Sequence, residues 1–203
     1  MIKNRKPILG VGVNDWHEPV YRNRKPMKEY QIWVGVLNRC FSKKEKARKP
    51  TYLMSSCSSD WLVFSNFVRD LRGMIGYENI FSNGWQLDKD ILVKGNKFYS
   101  NDTCCLVPKE LNTFFIKGDA IRGDTLIGVS ERKDYKSPNR FFSTVFYRNK
   151  HIHLGCFPTD LEAHLAYKHK KEELIKEYAV SLKGIVDDRV YNALINYTVD
   201  VND

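Results

Sequence analysis

The chain has 203 residues, of which 42% are hydrophobic and 13% aromatic, and its formal net charge is +9 at pH 7. This composition is typical of folded domains and excludes an intrinsically disordered chain. The apolar stretches are shorter than the roughly 20 residues that cross a bilayer, and none follows the basic N-terminus, so we expect neither a membrane span nor a signal peptide. The five cysteines form no Cys-x-x-Cys pair, and we interpret them as small buried side chains rather than as zinc ligands or disulfides.

The excess positive charge is confined to the first quarter of the chain. Residues 1–50 contain 13 Lys and Arg but only 4 Asp and Glu, whereas residues 51–203 contain 20 of each class. Such a concentration of cations is typical of a surface that contacts phosphates, although an ordinary solvated face has the same composition.

The first predicted elements are helices. Residues 1–28 lack a sustained period and are expected to form an extended basic arm or an irregular lead-in. Apolar residues at helical spacing predict a helix from Glu29 to about Ser42, followed by a charged loop at residues 43–50. A second apolar stripe predicts a helix that begins after Asp60 and ends at Gly73 and Gly76.

Two short strands and a helix are expected next. The first strand contains Leu87 and residues 91–93, residues 94–97 form a turn, and the second strand contains residues 98–99. Ser100 to Asp102 has the composition of a helix cap, and the helix would run to about Phe115. Pro108 is costly inside a helix, so the helix could instead begin near Val107.

A turn-rich segment at residues 116–125 is the predicted domain boundary. Three strands are expected after it, at residues 127–132, 140–147 and 151–157. In the middle strand, alternation places Phe142, Thr144 and Phe146 on one face and the residues between them on the other. Thr159 and Glu162 form a capping box that opens a long helix, and a last helix is expected at residues 186–197. The predicted fold class is therefore α+β.

Residues 87–112 contain the motif that bears most directly on chemistry. Asp88, Lys89 and Asp90 lie on the first expected strand, and Asn112 lies on the helix. Phosphodiester hydrolysis with one metal needs oxygen ligands for a hard divalent cation and a base beside the attacking water. The alternative interpretation is that residues 88–90 are a solvated strand end beside a turn.

This segment resembles the HNH motif of phage homing endonucleases. Asp90-Ile91 stands in the place of His-Ile, Thr103-Cys104 in that of Asn-Leu, and Asn112 follows Thr103 by nine residues, as in the family. The resemblance covers roughly residues 29–115 and implies a ββα-metal nuclease domain. It further implies that Asp88 or Asp90, together with Asn112, holds Mg²⁺ or another divalent cation.

The histidine that serves as the base in that family is missing from this motif, since all five histidines lie outside it. The base would then be the second aspartate or Lys89. An exposed carboxylate with a pKa of about 4 is a weak base, so we expect a slow enzyme, a nicking enzyme or no enzyme.

Residues 127–178 resemble the ethylene-response-factor (Apetala-type) DNA-binding domain, which also occurs in phage HNH endonucleases. The matching residues are Gly128-Val129, Phe141, Ser143, Val145, Leu154-Gly155, Phe157, Glu162-Ala163 and Ala166-Tyr167. The resemblance implies a three-stranded antiparallel sheet backed by a helix, with the other face of the sheet in the major groove. It places six residues on that face and two at its edge: Arg132, Phe142, Thr144, Phe146, His151 and His153, with Arg148 and Lys150.

The expected organisation is a basic arm (1–28), an HNH-like domain (29–118), an Apetala-type domain (125–180) and a C-terminal helix with an acidic tail (181–203). The expected function is metal-dependent cleavage or nicking of double-stranded DNA at a specific site; the sequence leaves the oligomeric state open, with a monomer favoured over an oligomer. The alternatives are a catalytically degenerate DNA-binding regulator or interference protein, and a protein-binding module that uses Phe142 and Phe146. No membrane partner is expected, and the location would be the cytoplasm, that of the host cell if the protein is phage-encoded.

Overall fold

The structure is a computed structural model that describes residues 5–82, 84–115, 124–133 and 136–201. The fold is α+β, with small sheets and several helices. It divides into two compact units, which we term the N-terminal unit (Met1–Pro108 with Ile185–Val190) and the sheet unit (Lys109–Gly184 with Tyr191–Asp203). No helix in the described ranges combines the length and the apolarity needed to span a membrane.

The N-terminal unit is built on four helices: α1 (Lys28–Phe41), α2 (Lys43–Arg48), α3 (Phe64–Gly73) and α4 (Asn79–Ser82). The helix predicted at residues 29–42 is confirmed as α1. Trp33 of α1 is fully buried, and its indole Nε1 donates to the main-chain oxygen of Trp61 at 2.7 Å. Trp61 belongs to a 3₁₀ turn, Asp60–Leu62, so α3 begins later than its apolar stripe predicted. All four tryptophans of the chain, at positions 16, 33, 61 and 85, lie in this unit.

The prediction of a loop at residues 43–50 is wrong, because residues 43–48 form α2. The Ser42 hydroxyl accepts a hydrogen bond from the amide of Glu45 at 3.2 Å and caps the helix. Glu45 also pairs with Arg48 at 2.7 Å, one helical turn away. Local capping and pairing therefore form a short helix in a segment that has no apolar stripe.

Residues 5–28 do not form a free arm. They contain a hairpin of β1 (Tyr21–Arg22) and β2 (Lys25–Pro26) and pack against the helices. The Asp15 carboxylate accepts from the amide of Ser65 at 2.9 Å and so caps the first turn of α3. Gly12 lies so close to α1 that an added Cβ would stand 2.3 Å from Leu37. Of the two alternatives predicted for the N-terminal residues, an extended arm or an irregular lead-in, the structure agrees with the irregular lead-in.

Four short strands complete the N-terminal unit: β3 (Ser56–Cys57), β4 (Gln86–Asp88), β5 (Phe98–Tyr99) and β6 (Cys105–Val107). The predicted strand, turn and strand of residues 87–99 do not form a hairpin, because β5 pairs in parallel with β3, and β4 pairs antiparallel with β6. Residues 91–93 are not a strand, since the chain turns at Asp88. Residues 100–102 form a turn, and the helix begins after Pro108, which was the alternative prediction.

The sheet unit contains α5 (Lys109–Phe114) and a three-stranded antiparallel sheet of β7 (Val129–Glu131), β8 (Phe141–Tyr147) and β9 (Lys150–Phe157). The helix α6 (Asp160–Leu182) follows, and then α7 (Asp188–Ile195), whose residues are shared between the two units. The three predicted strands and the long helix are confirmed. Thr159 caps α6 by accepting from the amide of Glu162 at 3.2 Å.

One face of this sheet is covered by α6. Ser143 and Val145 of β8 are buried, as is Ala163 of α6. Gly128 has φ +80, and an added Cβ there would lie 2.0 Å from the ring of Tyr167. Only glycine allows this backbone to approach the helix so closely. The domain boundary predicted at residues 116–125 falls largely outside the described residues, and the division between the units lies at Pro108.

Candidate nucleic-acid interface

The face of the sheet opposite α6 collects most of the residues predicted to contact DNA. Cross-strand pairing puts Ser130 beside Phe142, Thr144 beside His153, and Phe146 beside His151. A register shift between Ser143 and Thr144 changes which residues of β9 lie on this side, so that Cys156 pairs with Phe142. We term the following set the outer face: Ser130, Arg132, Phe142, Thr144, Phe146, His151, His153 and Cys156.

Aromatic and cationic side chains stack on one another across the outer face. The guanidinium carbon of Arg132 lies 4.6 Å from the centroid of the Phe142 ring, a cation–π contact. The rings of Phe142 and His153 are 6.1 Å apart, and those of Phe146 and His151 are 4.9 Å apart. These contacts hold flat, partly apolar surfaces toward solvent, and Phe146 is 42% exposed.

The outer face is free of acidic residues within the described parts of the three strands. Glu131 points to the other side of the sheet and pairs with Arg140 at 3.1 Å. Arg132, His151 and His153 are all exposed. The face therefore carries the positive charge of Arg132 without an acidic residue on the same side of the described strands to neutralise it.

Arg148 and Lys150 lie at one end of this face, as predicted. Arg148 and Asn149 form the two-residue turn between β8 and β9, and both have positive φ, 47° and 62°. Two left-handed residues are typical of a type I′ hairpin turn, whose twist matches that of the strands. The turn leaves Arg148, Asn149 and Lys150 exposed.

A second basic surface lies in the N-terminal unit, on α2 and the residue after it. Lys43, Lys44, Arg48 and Lys49 are exposed there, and Glu45 forms an ion pair with Arg48. Arg39 of α1 stacks on Tyr52 and Tyr99, with its guanidinium carbon 5.8 and 5.9 Å from their rings. This surface accounts for part of the positive charge concentrated in residues 1–50.

Asp88 of the predicted metal site makes local hydrogen bonds. Its Oδ1 accepts from the amides of Asp90 and Ile91, both at 2.7 Å, which turns the chain at the end of β4. The residue is buried. Burial raises the pKa of its carboxyl, and the two amide hydrogen bonds act in the opposite direction. The geometry assigns Asp88 a structural role in the turn.

Lys89 and Asp90 form a charge pair. The Lys89 ammonium donates to both carboxylate oxygens of Asp90 at 2.7 Å and to the main-chain oxygen of Asn96 at 2.5 Å. The Lys89 side chain is only 6% exposed, whereas that of Asp90 is 52% exposed. A buried ammonium therefore already contacts the carboxylate that would serve a metal ion.

The fourth predicted site residue, Asn112, lies on α5 in the sheet unit, whereas residues 88–90 lie in the N-terminal unit. Across the described ranges, no group of three or more His, Cys, Asp or Glu side chains is arranged to hold a metal ion. As placed, Asp88 to Asp90 do not offer two unengaged carboxylates to a divalent cation. The metal and catalytic assignments stay predictions.

Sequence reasoning missed three features of the sheet unit. Cys156 joins the outer face, with its Sγ 3.8 Å from Nε2 of His153, because a one-residue irregularity in β9 shifts the alternation. Tyr147 and Tyr178 line a cavity, although tyrosines at these positions resemble ordinary core residues. Lys171 of α6 is buried; its spacing of eight residues from Ala163 and four from Tyr167 placed it on the buried side of the helix and could have indicated this.

Comparisons with protein-family models, with curated proteins and with solved structures find no match to this chain.

Proposed function

We propose that this protein binds double-stranded DNA through the outer face of the β7–β8–β9 sheet. The observation that carries the proposal is the composition of that face, where arginine, histidine, threonine and phenylalanine side chains lie together without a described acidic neighbour. Cations attract phosphates, while polar and apolar side chains contact base edges and thymine methyl groups.

The dimensions of the sheet support the proposal. Three strands at a spacing of about 4.8 Å are about 10 Å wide, and the seven residues of β8 extend over about 23 Å. The major groove of B-DNA is about 12 Å wide, which accepts an element of this width. Phe142, Thr144 and Phe146 would then point toward the bases along β8.

Phosphate contacts would come from the exposed cations at the end of the hairpin, Arg148 and Lys150, and from the basic surface on α2. Each neutralised phosphate contributes about 0.9 to the slope of log affinity against log salt concentration. The two hairpin cations alone predict a slope of about 1.8 in magnitude, and the α2 cations would make it steeper.

The engaged state of Asp88 and Asp90 favours a DNA-binding protein without a cleavage step at these residues. One observation favours the second candidate function, metal-dependent nicking. The chain order β4, β6, α5 is the strand, strand, helix order of an HNH nuclease, and the Asp90 carboxylate at the end of β4 is half exposed. A nuclease would have to separate Lys89 from Asp90 before a cation could bind.

DNA binding is tested by fluorescence anisotropy with a labelled duplex at rising salt. We expect binding with a steep salt dependence, and a loss of at least tenfold in affinity for Phe146→Glu. The matched control is Phe81→Glu, because Phe81 is 52% exposed and lies in the N-terminal unit. Unchanged affinity for Phe146→Glu, or equal losses for both variants, would contradict the proposed face.

Nicking is tested with supercoiled plasmid and Mg²⁺ or Mn²⁺. We expect no metal-dependent nicking. If Asp90→Asn abolishes nicking while circular dichroism shows that the fold is retained, metal-dependent nicking at Asp90 is established. DNA binding without a cleavage step at this residue is then rejected. Asn is the appropriate substitution because Asp90→Ala removes the partner of a buried lysine and confounds stability with catalysis.

A further inference from the structure

A cavity in the N-terminal unit is lined by residues of α1, of α2 and of the 3₁₀ turn Pro50–Tyr52. Its volume is about 510 Å³, within the usual range of small-ligand sites. The charged lining residues are four cations and one acid: Arg39, Lys44, Arg48, Lys49 and Glu45. Glu45 is already engaged, because Arg48 donates to both of its carboxylate oxygens, at 2.8 and 2.7 Å. The cavity therefore concentrates positive charge that its own acid does not balance.

Arg39 of α1 is held in place by two aromatic rings. Its guanidinium carbon lies 5.8 Å from the centroid of the Tyr52 ring and 5.9 Å from that of Tyr99, and its Nη1 donates to the Tyr99 hydroxyl at 3.4 Å. The residue is half-buried, and no carboxylate in the described part of the chain forms an ion pair with it. A guanidinium that is oriented in advance, partly withdrawn from water and without a counter-ion is suited to an anionic ligand.

The space in front of Gly35 is open. Gly35 lies within α1 and lines the cavity, and an added Cβ there would meet no atom within 4 Å. Glycine is unfavourable inside a helix, and no close contact with the described residues requires it at this position. Gly35 and Arg39 are one helical turn apart and share a face of α1. The missing side chain therefore leaves room for a ligand beside the Arg39 guanidinium.

Lys44 and Lys49 bring further charge to the cavity. Both are exposed, and neither forms an ion pair with another residue that the structure describes. The Lys49 ammonium lies 5.9 Å from the centroid of the same Tyr52 ring on which Arg39 stacks. A guanidinium binds phosphate through paired hydrogen bonds, and an ammonium binds it as a point charge. Phosphate offers more acceptor oxygens to such a set of donors than a carboxylate does.

We infer that this cavity binds a phosphate group, with the guanidinium of Arg39 donating paired hydrogen bonds to it and with Lys44 and Lys49 neutralising its charge. The phosphate is either a phosphodiester of the DNA backbone or the phosphomonoester of a small molecule. The inference rests on the proposed function for the first source alone, where it names the site that one backbone phosphate occupies.

The site is tested with inorganic phosphate as the probe. Phosphate replaces chloride at constant ionic strength, and amide NMR spectra of the isotope-labelled protein record the response. We expect saturable shifts of the Gly35 and Arg39 amides. Arg39→Lys keeps the charge but loses the paired donors, so it should weaken phosphate binding by about tenfold. Lys44→Gln should weaken it by about twofold to fivefold.

Two glycine variants separate occupation of the cavity from a change of charge. Gly35→Leu fills the cavity and removes no cation, so saturable phosphate binding should disappear. Gly73→Leu is its control, because an added Cβ at Gly73 also meets no atom within 4 Å and Gly73 does not line the cavity. This control should bind phosphate like the unmodified protein, and equal losses for the two variants would overturn the inference.

Lys43→Gln is the matched control for Lys44→Gln. Lys43 is the neighbouring exposed lysine of α2 and is not among the residues that line the cavity. Lys43→Gln should therefore leave the affinity for inorganic phosphate unchanged. Equal losses for the two lysine variants would mean that phosphate responds to net charge alone, which also overturns the inference.

Binding of a labelled duplex at rising salt distinguishes the two sources of phosphate. If the site holds a backbone phosphate, Gly35→Leu should reduce the slope of log affinity against log salt concentration by about 0.9, and Gly73→Leu should leave it unchanged. A reduced slope supports the backbone source whether or not inorganic phosphate binds alone. Saturable phosphate binding with an unchanged slope assigns the site to a phosphomonoester.

The same measurements separate this inference from the proposed function. A duplex that binds equally well to Gly35→Leu, with an unchanged slope and without saturable phosphate binding, overturns the inference and leaves the DNA-binding proposal standing. Saturable phosphate binding that Gly35→Leu abolishes, in a protein that binds no duplex, supports the phosphate site and overturns DNA binding.

Discussion

Substitution of Lys171 should remove a pH dependence from the stability of the sheet unit. Lys171 of α6 is 7% exposed, and its ammonium donates to the main-chain oxygen of Phe114 and lies 3.5 Å from the Phe114 ring centroid. Burial lowers the pKa of Lys171 to about 7. An unfolded lysine has a pKa of about 10.4, so the unfolded chain holds a proton between pH 7 and 10 that the folded chain lacks.

The sign and the size of the effect follow from that difference. Stability rises with pH wherever the unfolded state binds more protons, so the free energy of unfolding should increase from pH 7 to pH 10. A difference of about 3 pKa units at about 1.4 kcal/mol per unit sets an upper bound of about 4 kcal/mol. The carbonyl and the ring of Phe114 favour the charged form, so we expect about half of this value.

Urea unfolding followed by far-UV circular dichroism at pH 6.5, 7.5, 8.5 and 9.5 measures the effect. The quantity compared is the difference in the free energy of unfolding between Lys171→Met and the unmodified protein at each pH. This difference is needed because burial also raises the pKa of Cys104 and Cys105, which makes the free energy of unfolding fall with pH at high pH in both proteins. Lys176→Met, an exposed position on the same helix, should leave the profile unchanged. Parallel profiles for Lys171→Met and the unmodified protein would refute the reasoning.

Three further predictions concern local hydrogen bonds and phosphate contacts. Asp88→Ala should lower the free energy of unfolding by about 1–3 kcal/mol, and Asp88→Asn by less because its oxygen still accepts; equal losses by urea denaturation would argue against the turn role. Ser42→Ala should cost about 1 kcal/mol through loss of the α2 cap, and an unchanged thermal midpoint would contradict it. Arg148→Ala should reduce the salt slope of DNA binding by about 0.9 without altering sequence preference, and a slope equal to that of the unmodified protein would exclude a phosphate contact at Arg148.

The elements with a strong period could be predicted from the sequence. The strands of the sheet unit and α6 follow from alternation and from the capping box at Thr159, because both are local patterns. Most of the outer face followed from the same alternation. Cys156 did not, since an irregularity in β9 changes the parity that the pattern assumes.

The elements that depend on polar or distant contacts could not be predicted. The α2 helix depends on the Ser42 cap, which the surrounding lysines obscure. The pairing of β4 with β6 joins residues separated by a long loop, and no periodicity specifies a partner in such strands. Asp88 and Asp90 are the same residue type, yet Asp88 accepts main-chain hydrogen bonds in a turn and Asp90 pairs with Lys89. The sequence alone does not distinguish these two roles.

Because every tryptophan lies in the N-terminal unit, tryptophan fluorescence reports on the unfolding of that unit and not on that of the sheet unit. During denaturation, indole emission records that unit alone, whereas circular dichroism records helices in both. Coincident curves would mean one cooperative transition, and separate curves would mean that the units melt independently. In the second case, Lys171→Met would displace the dichroism curve and leave the emission curve where it was.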